Sequence, residues 1–129
     1  MVFVIDSDEM LHPEDKEHLR TAAGIFADQD IVLQILKINR IGNLRNDPML
    51  ADRMFRVKYG FTWKYRVHEQ VVNGNSNTLM CARAVGIRLL HDGYDSDVIG
   101  DYSFKIKRNV DLLRKEIKDR SIEPQVYFF

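Results

Sequence analysis

A short apolar run, Val2-Phe3-Val4-Ile5, stops abruptly at Asp6-Ser7-Asp8-Glu9. A run that is apolar on both sides and rich in β-branched residues predicts a strand buried on both faces, a central strand of an α/β sheet. In extended backbone, residues i and i+2 project to the same side, so Asp6 and Asp8 can address one cation at the strand's end. In open α/β sheets the ligand crevice lies outside the carboxyl ends of the strands. Glu9 adds a third carboxylate, and three clustered negative charges repel one another unless a cation or solvent relieves them. The plain alternative is an acidic turn that closes a strand.

The rest of the chain alternates between helical and extended patterns. Leu11-His12-Pro13-Glu14-Asp15 reads as a helix start, because Pro13 suits the first helical position and the two carboxylates suit the positive end of the dipole. Leu19, Ala22, Ala23 and Phe26 then form an apolar stripe, predicting a helix over 13–26. Strands are expected over 31–38, 53–57, 61–67 and 84–90. A long loop is expected from Asn39 to Asp52, and a turn over 73–77. From Asp101 the spacing of Tyr102, Ile106, Val110, Leu113 and Ile117 predicts a closing helix that ends near Asp119, with Pro124 marking the break. A buried strand starting at residue 2 and an apolar end, Val126-Tyr127-Phe128-Phe129, suggest that both ends are cut short or covered by a partner.

Composition narrows the function classes. With 129 residues, 45% of them hydrophobic, the chain predicts one domain with a real core. Nineteen basic and 19 acidic residues give zero net charge, so nucleic acid, which calls for a basic excess, is not an expected partner. No apolar run approaches the roughly 18–20 residues that span a bilayer, and the N-terminus lacks the basic-then-apolar pattern of a secretion signal. The single cysteine, Cys81, cannot form an internal disulfide, which fits a reducing, cytoplasmic setting.

Several side chains are able to carry chemistry. His68-Glu69 pairs an imidazole with a carboxylate at a strand end, and either is able to act as a general base if the fold brings it toward Asp8. Taken alone, such a pair is more often a surface feature. His91 ends an apolar run before a glycine turn; a carboxylate plus neutral imidazole would favour Mn over Mg or Ca. Its plain reading is a satisfied structural histidine. His12 and His18 receive no role. The basic stripe Lys105, Lys107, Arg108, Arg114, Lys115 and Lys118 reads as a solvated face balanced by Asp111, Glu116 and Asp119. Phe61, Trp63 and Tyr65 either fill the core or stack on a sugar or base.

The order of these pieces is more specific than any one of them. Val-Phe-Val-Ile-Asp-Ser-Asp-Glu-Met-Leu is followed by the Pro-Glu-Asp helix, Arg53-Met54-Phe55-Arg56 and Tyr65-Arg66-Val67-His68-Glu69-Gln70. His91-Asp92-Gly93-Tyr94 and the run from Lys107 to Glu116 complete the series. Across nearly its whole length the chain resembles the second half of the catalytic domain of a bacterial family 2 glycosyltransferase. The branch in question has a D-A-D-E metal motif, a strand ending in V-H-E, an H-x-G-Y motif and a closing K-x-x-R-N-x-x-L-L-x-x-E helix.

The resemblance implies an α/β fold of the GT-A type, with a mixed sheet, flanking helices and the N-terminal nucleotide-binding half missing. It implies a single incomplete domain over 1–129, with a metal and acceptor half over 1–100 and a closing helix over 101–120. The activity implied is inverting transfer of a sugar from a nucleotide-sugar donor, a UDP-sugar above all, to a hydroxyl of a glycan or lipid-linked acceptor in cell-surface glycan synthesis. Asp6 would face the donor's ribose or diphosphate, Asp8 would bind Mn2+ or Mg2+, and His91 would complete the metal's coordination. Glu69 would be the general base, with His68 orienting it or contacting phosphate. The implied location is the cytoplasm or the inner face of the membrane.

The departures carry expectations of their own. Nothing corresponds to the roughly hundred residues that precede the D-x-D strand in the family and hold the nucleotide base, and Ser7 replaces the usual alanine. The isolated chain is therefore expected to be a fragment or remnant with weak or absent activity, unless a complementing N-terminal half or a second copy completes it. Rival readings are a non-catalytic binding domain and, further off, a haloacid-dehalogenase-like phosphatase, whose motif continues with Gly-Thr where this chain has Glu9-Met10.

Overall fold

The structure, a computed structural model, describes residues 1–41, 44–45, 48–76, 78–92 and 102–120. The described residues form eight strands: β1 Val2–Phe3, β2 Glu9–Leu11, β3 Val32–Ile41, β4 Leu44–Arg45, β5 Met49–Phe55, β6 Phe61–Lys64, β7 Gln70–Asn73 and β8 Cys81–His91. Among the described residues two α-helices accompany them, α1 Lys16–Ile25 and α2 Tyr102–Asp119. The architecture is α/β with a mixed sheet in the order β1-β5-β3-β8-β2, β4 pairing with β3 off this path, and a separate hairpin of β6 and β7. The β3–β8 pair is parallel and the other pairings are antiparallel. Neither helix is long and apolar enough to cross a membrane.

The opening run does not form the expected central strand. Val2 and Phe3 pair with β5 at the sheet edge, Val4 N–H adds one bond to the Arg53 carbonyl at 2.8 Å, and Val2 and Ile5 are 40% and 45% exposed. The centre goes instead to β3 and β8, of ten and eleven residues, because longer β-rich runs bury more apolar surface per ladder. The loop expected over Asn39 to Asp52 is largely extended: β3 continues to Ile41 and β5 begins at Met49, pairing with Lys37. Ladder pairing has overridden local turn propensity there; Gly42, Asn43, Asn46 and Asp47 lie outside the described residues. The strand expected over 61–67 stops at Lys64, since Tyr65 takes a positive φ of 70° that no strand accommodates. Both expected helices form. Gly93, Tyr94, Pro124 and the apolar C-terminal residues lie outside the described residues.

Two apolar clusters sandwich the sheet. Ala22 of α1 packs with Leu33, Ile35, Met54, Ala84, Ile87 and Leu89 on one side. Val32, Phe55, Phe61 and Val71 form the other cluster, which the β6–β7 hairpin covers. Two irregularities set which polar groups reach the second face. Leu33 pairs with Met54 but Gln34 with Asp52, so Arg53 is the extra residue of a bulge in β5. Asp52 and Arg53, adjacent in sequence, both line the cleft on that side. In β8, a second irregularity between Gln34 and Leu36 contains Gly86 at φ 78°, where a Cβ would also press on the His18 ring at 3.3 Å. His18 Nδ1 lies 3.0 Å from the Gly86 carbonyl and ties α1 to this bulge.

Candidate functional site

The acidic segment is a tight turn. Glu9 N–H donates to the Asp6 carbonyl at 3.0 Å, and the Glu9 carboxylate folds back to accept from Asp6 N–H at 3.1 Å. The Glu9 side chain is fully buried, a costly place for a charge unless it is paired. Its partner is Arg53, whose Nη2 donates to Glu9 Oε1 at 2.5 Å and to Asp6 Oδ2 at 2.7 Å. Lys37 Nζ adds a second positive charge 3.8 Å from Glu9. The cation required to relieve three clustered carboxylates is thus supplied by the protein's own guanidinium and ammonium. Glu9 braces the turn, and Asp6 is drawn toward Arg53.

Asp8 has different company. The β2–β8 register sets Glu9 opposite His91, and Asp92 N–H donates to the Asp8 carbonyl at 3.0 Å, fixing Asp8 beside the end of β8. His91 Nε2 lies 3.4 Å from Asp8 Oδ2, and Lys105 Nζ lies 3.8 Å from the same oxygen. The His91 ring is buried, and its Nδ1 donates to Asn39 Oδ1 at 2.7 Å from the neighbouring strand. Burial lowers the His91 pKa, with Lys37 and Lys105 acting in the same direction and Asp8 and Glu9 opposing them. A neutral ring with its proton on Nδ1 turns an Nε2 lone pair toward a carboxylate, and that pair of donor atoms suits a divalent ion of borderline softness such as Mn2+. Among the described residues, no group of three His, Cys, Asp or Glu side chains is gathered closely enough to hold a metal. The expected trio of Asp6, Asp8 and His91 is therefore a pair, Asp8 and His91, and further ligands would have to come from a bound phosphate or water.

The opposite wall is built from the segment between β6 and β7 and from α2. His68 and Glu69 do not follow a strand directly; they sit in an exposed loop after Lys64, with His68 at φ 55°. Among the described residues no ion pair or hydrogen bond engages the Glu69 carboxylate. Asp6, Asp8, His68, Glu69 and His91 all line one open cleft of about 1080 Å³. Trp63 is half-buried on the same wall with its ring edge-on to Phe55 at 6.0 Å, whereas Phe61 belongs to the core.

Several residues of the site were not expected. Arg53, Lys37 and Asn39 are strand residues whose polar side chains reach the cleft face or its edge, and a polar residue within a β-rich run was the signal available for them. The closing helix is not a uniformly solvated face: Lys105 and Arg108 line the cleft. Glu116, expected to balance surface charge, is 1% exposed. No family model matches the chain, and no curated protein matches it.

Proposed function

We propose that the chain carries the metal and acceptor side of an inverting, nucleotide-sugar-dependent glycosyltransferase of the GT-A type, a cytoplasmic enzyme of cell-surface glycan synthesis. One observation carries the reading: the acidic turn, the strand-end His91 and the His68-Glu69 loop, distant in sequence, line the same cleft. In this reading Glu69 takes the proton of an acceptor hydroxyl while its oxygen bonds to the anomeric carbon from the face opposite the leaving group. The bond from that carbon to the diphosphate breaks, nucleoside diphosphate departs, and the configuration inverts. His68, beside Glu69, orients the base or the phosphate. Asp8 and His91 would hold a divalent ion, which when bound supplies Lewis-acid stabilisation of the leaving diphosphate. Lys105 and Arg108 add positive charge along the same cleft.

A second reading, a non-catalytic binding domain, is favoured by one observation. Arg53 occupies Asp6 and Lys105 approaches Asp8, so internal cations already stand where a metal-bound donor would need the carboxylates. Release of nucleoside diphosphate from a panel of UDP-sugars, with Mn2+ or Mg2+, separates the two. Transfer predicts metal-dependent release that Asp8→Ala and Glu69→Gln abolish. Mn2+ and UDP binding without release by a folded chain favours the binding domain, and absence of both binding and release overturns the transferase reading.

A further inference from the structure

Glu116, near the C-terminal end of α2, is 1% exposed on a helix whose Phe104, Ile106, Val110 and Ile117 all face solvent. A buried carboxylate on so exposed a helix has to be held by specific partners. They come from one short segment and the helix's own end. Arg66 N–H and Arg66 Nη1 each donate to Glu116 Oε2 at 3.1 Å, and Arg120 Nε forms an ion pair with Oε1 at 2.8 Å. Asp119 accepts from Arg66 Nη2 at 2.6 Å, and the Arg120 guanidinium stands 5.9 Å from the centre of the Tyr65 ring.

The segment so held is the loop that bears His68 and Glu69. Two of its residues, Tyr65 and His68, keep positive φ values of 70° and 55°. Such conformations persist in non-glycine residues only where the surroundings hold them. Roughly three turns earlier on the same helix, Lys105 Nζ lies 3.8 Å from Asp8. The helix therefore touches both walls of the cleft.

The geometry points to Glu116 as a positioning residue that clamps the His68-Glu69 loop to α2 and so sets its distance from Asp8. The catalytic consequence rests on the reading of Glu69 as a base; the clamp itself does not. Glu116→Ala removes both acceptor and charge, while Glu116→Gln keeps an oxygen for Arg66 N–H. Amide exchange in the full chain should accelerate about tenfold or more over residues 66–69 in Glu116→Ala, with β3 and β8 unchanged and Glu116→Gln retaining most of the protection. The turnover number for nucleoside diphosphate release should fall about 10- to 100-fold in Glu116→Ala, with the donor KM within about twofold and partial rescue by Gln. Unchanged exchange at 66–69, or equal loss in β3 and the loop, overturns the clamp. If Glu116→Ala does not fold, the exposed Asp119→Ala, which removes the second carboxylate on Arg66, must still loosen 66–69 selectively, or the inference fails. A wild-type chain that releases no nucleoside diphosphate defeats the transferase reading, while the exchange comparison still decides the clamp.

Discussion

The two ends of β2 both reach across to β8 through an aspartate, and they do so in opposite ways. Beyond one end, Asp15 is locked to Arg88: Arg88 N–H and Nε donate to Oδ2 at 2.8 Å each, and Nη2 donates to Oδ1 at 2.7 Å. The Asp15 side chain is 3% exposed, and the Arg88 guanidinium holds its carboxyl below the usual carboxylate range. At the other end Asp8 is 35% exposed, with His91 at 3.4 Å and Lys105 at 3.8 Å. One aspartate has short, charge-assisted hydrogen bonds and serves the fold. The other has longer contacts and an outlook onto the cleft, the arrangement expected where a ligand supplies the remaining partners.

The contrast can be broken from either side. The largest effect belongs to Asp8→Ala, which should reduce nucleoside diphosphate release about 10²- to 10³-fold while leaving the urea midpoint nearly unchanged. A large fall in stability instead would make Asp8 a second Asp15. Asp15→Asn should do the reverse. Removing one partner of a buried pair costs about 3–5 kcal/mol, and with the Arg88 side chain 36% exposed the loss should be about 2–3 kcal/mol in urea unfolding. Asn39→Ala frees the His91 ring from its hydrogen bond, and Mn2+ affinity followed by electron paramagnetic resonance should weaken about tenfold.

Acid offers a smaller, graded test. Because the folded Asp15 pKa lies below its ordinary 3.8, the unfolded chain takes up the proton first as pH falls. The pair's stabilisation is full above that ordinary value and is lost as pH drops through the lower folded one. The stability gap between wild type and Asp15→Asn should therefore be constant from pH 7 to about pH 5 and shrink toward pH 2. The smallest effect is expected from Arg20→Ala, which deletes an exposed pair with Glu17 at 2.6 Å and should shift stability by under about 0.5 kcal/mol.

Much of this was legible in the residues, though unevenly. The helices announced themselves through apolar spacing, and the acidic turn, the His68-Glu69 pair and His91 stood out as strand-end polar groups. Asp15 stands, as its place beside Pro13 and Glu14 suggests, among the carboxylates of a helix start, but that local reading hid its second role, because its side chain turns to Arg88, far away in sequence. Val2–Ile5 was misleading because apolar character marks burial without saying which strand wins the centre. Arg53 and Asn39 could not be singled out, since which face a strand residue occupies depends on bulges and register set by partner strands.

The bulge lets two adjacent residues, Asp52 and Arg53, face the cleft together. Deleting Arg53 would regularise the ladder with Asp52 still opposite Gln34, but would leave the buried Glu9 carboxylate without its guanidinium, with Lys37 at 3.8 Å as its remaining positive neighbour among the described residues. Spacing in this strand is accordingly as much a part of the cleft as its chemistry, and a shortened variant should fare worse than one in which Arg53 is simply exchanged for lysine.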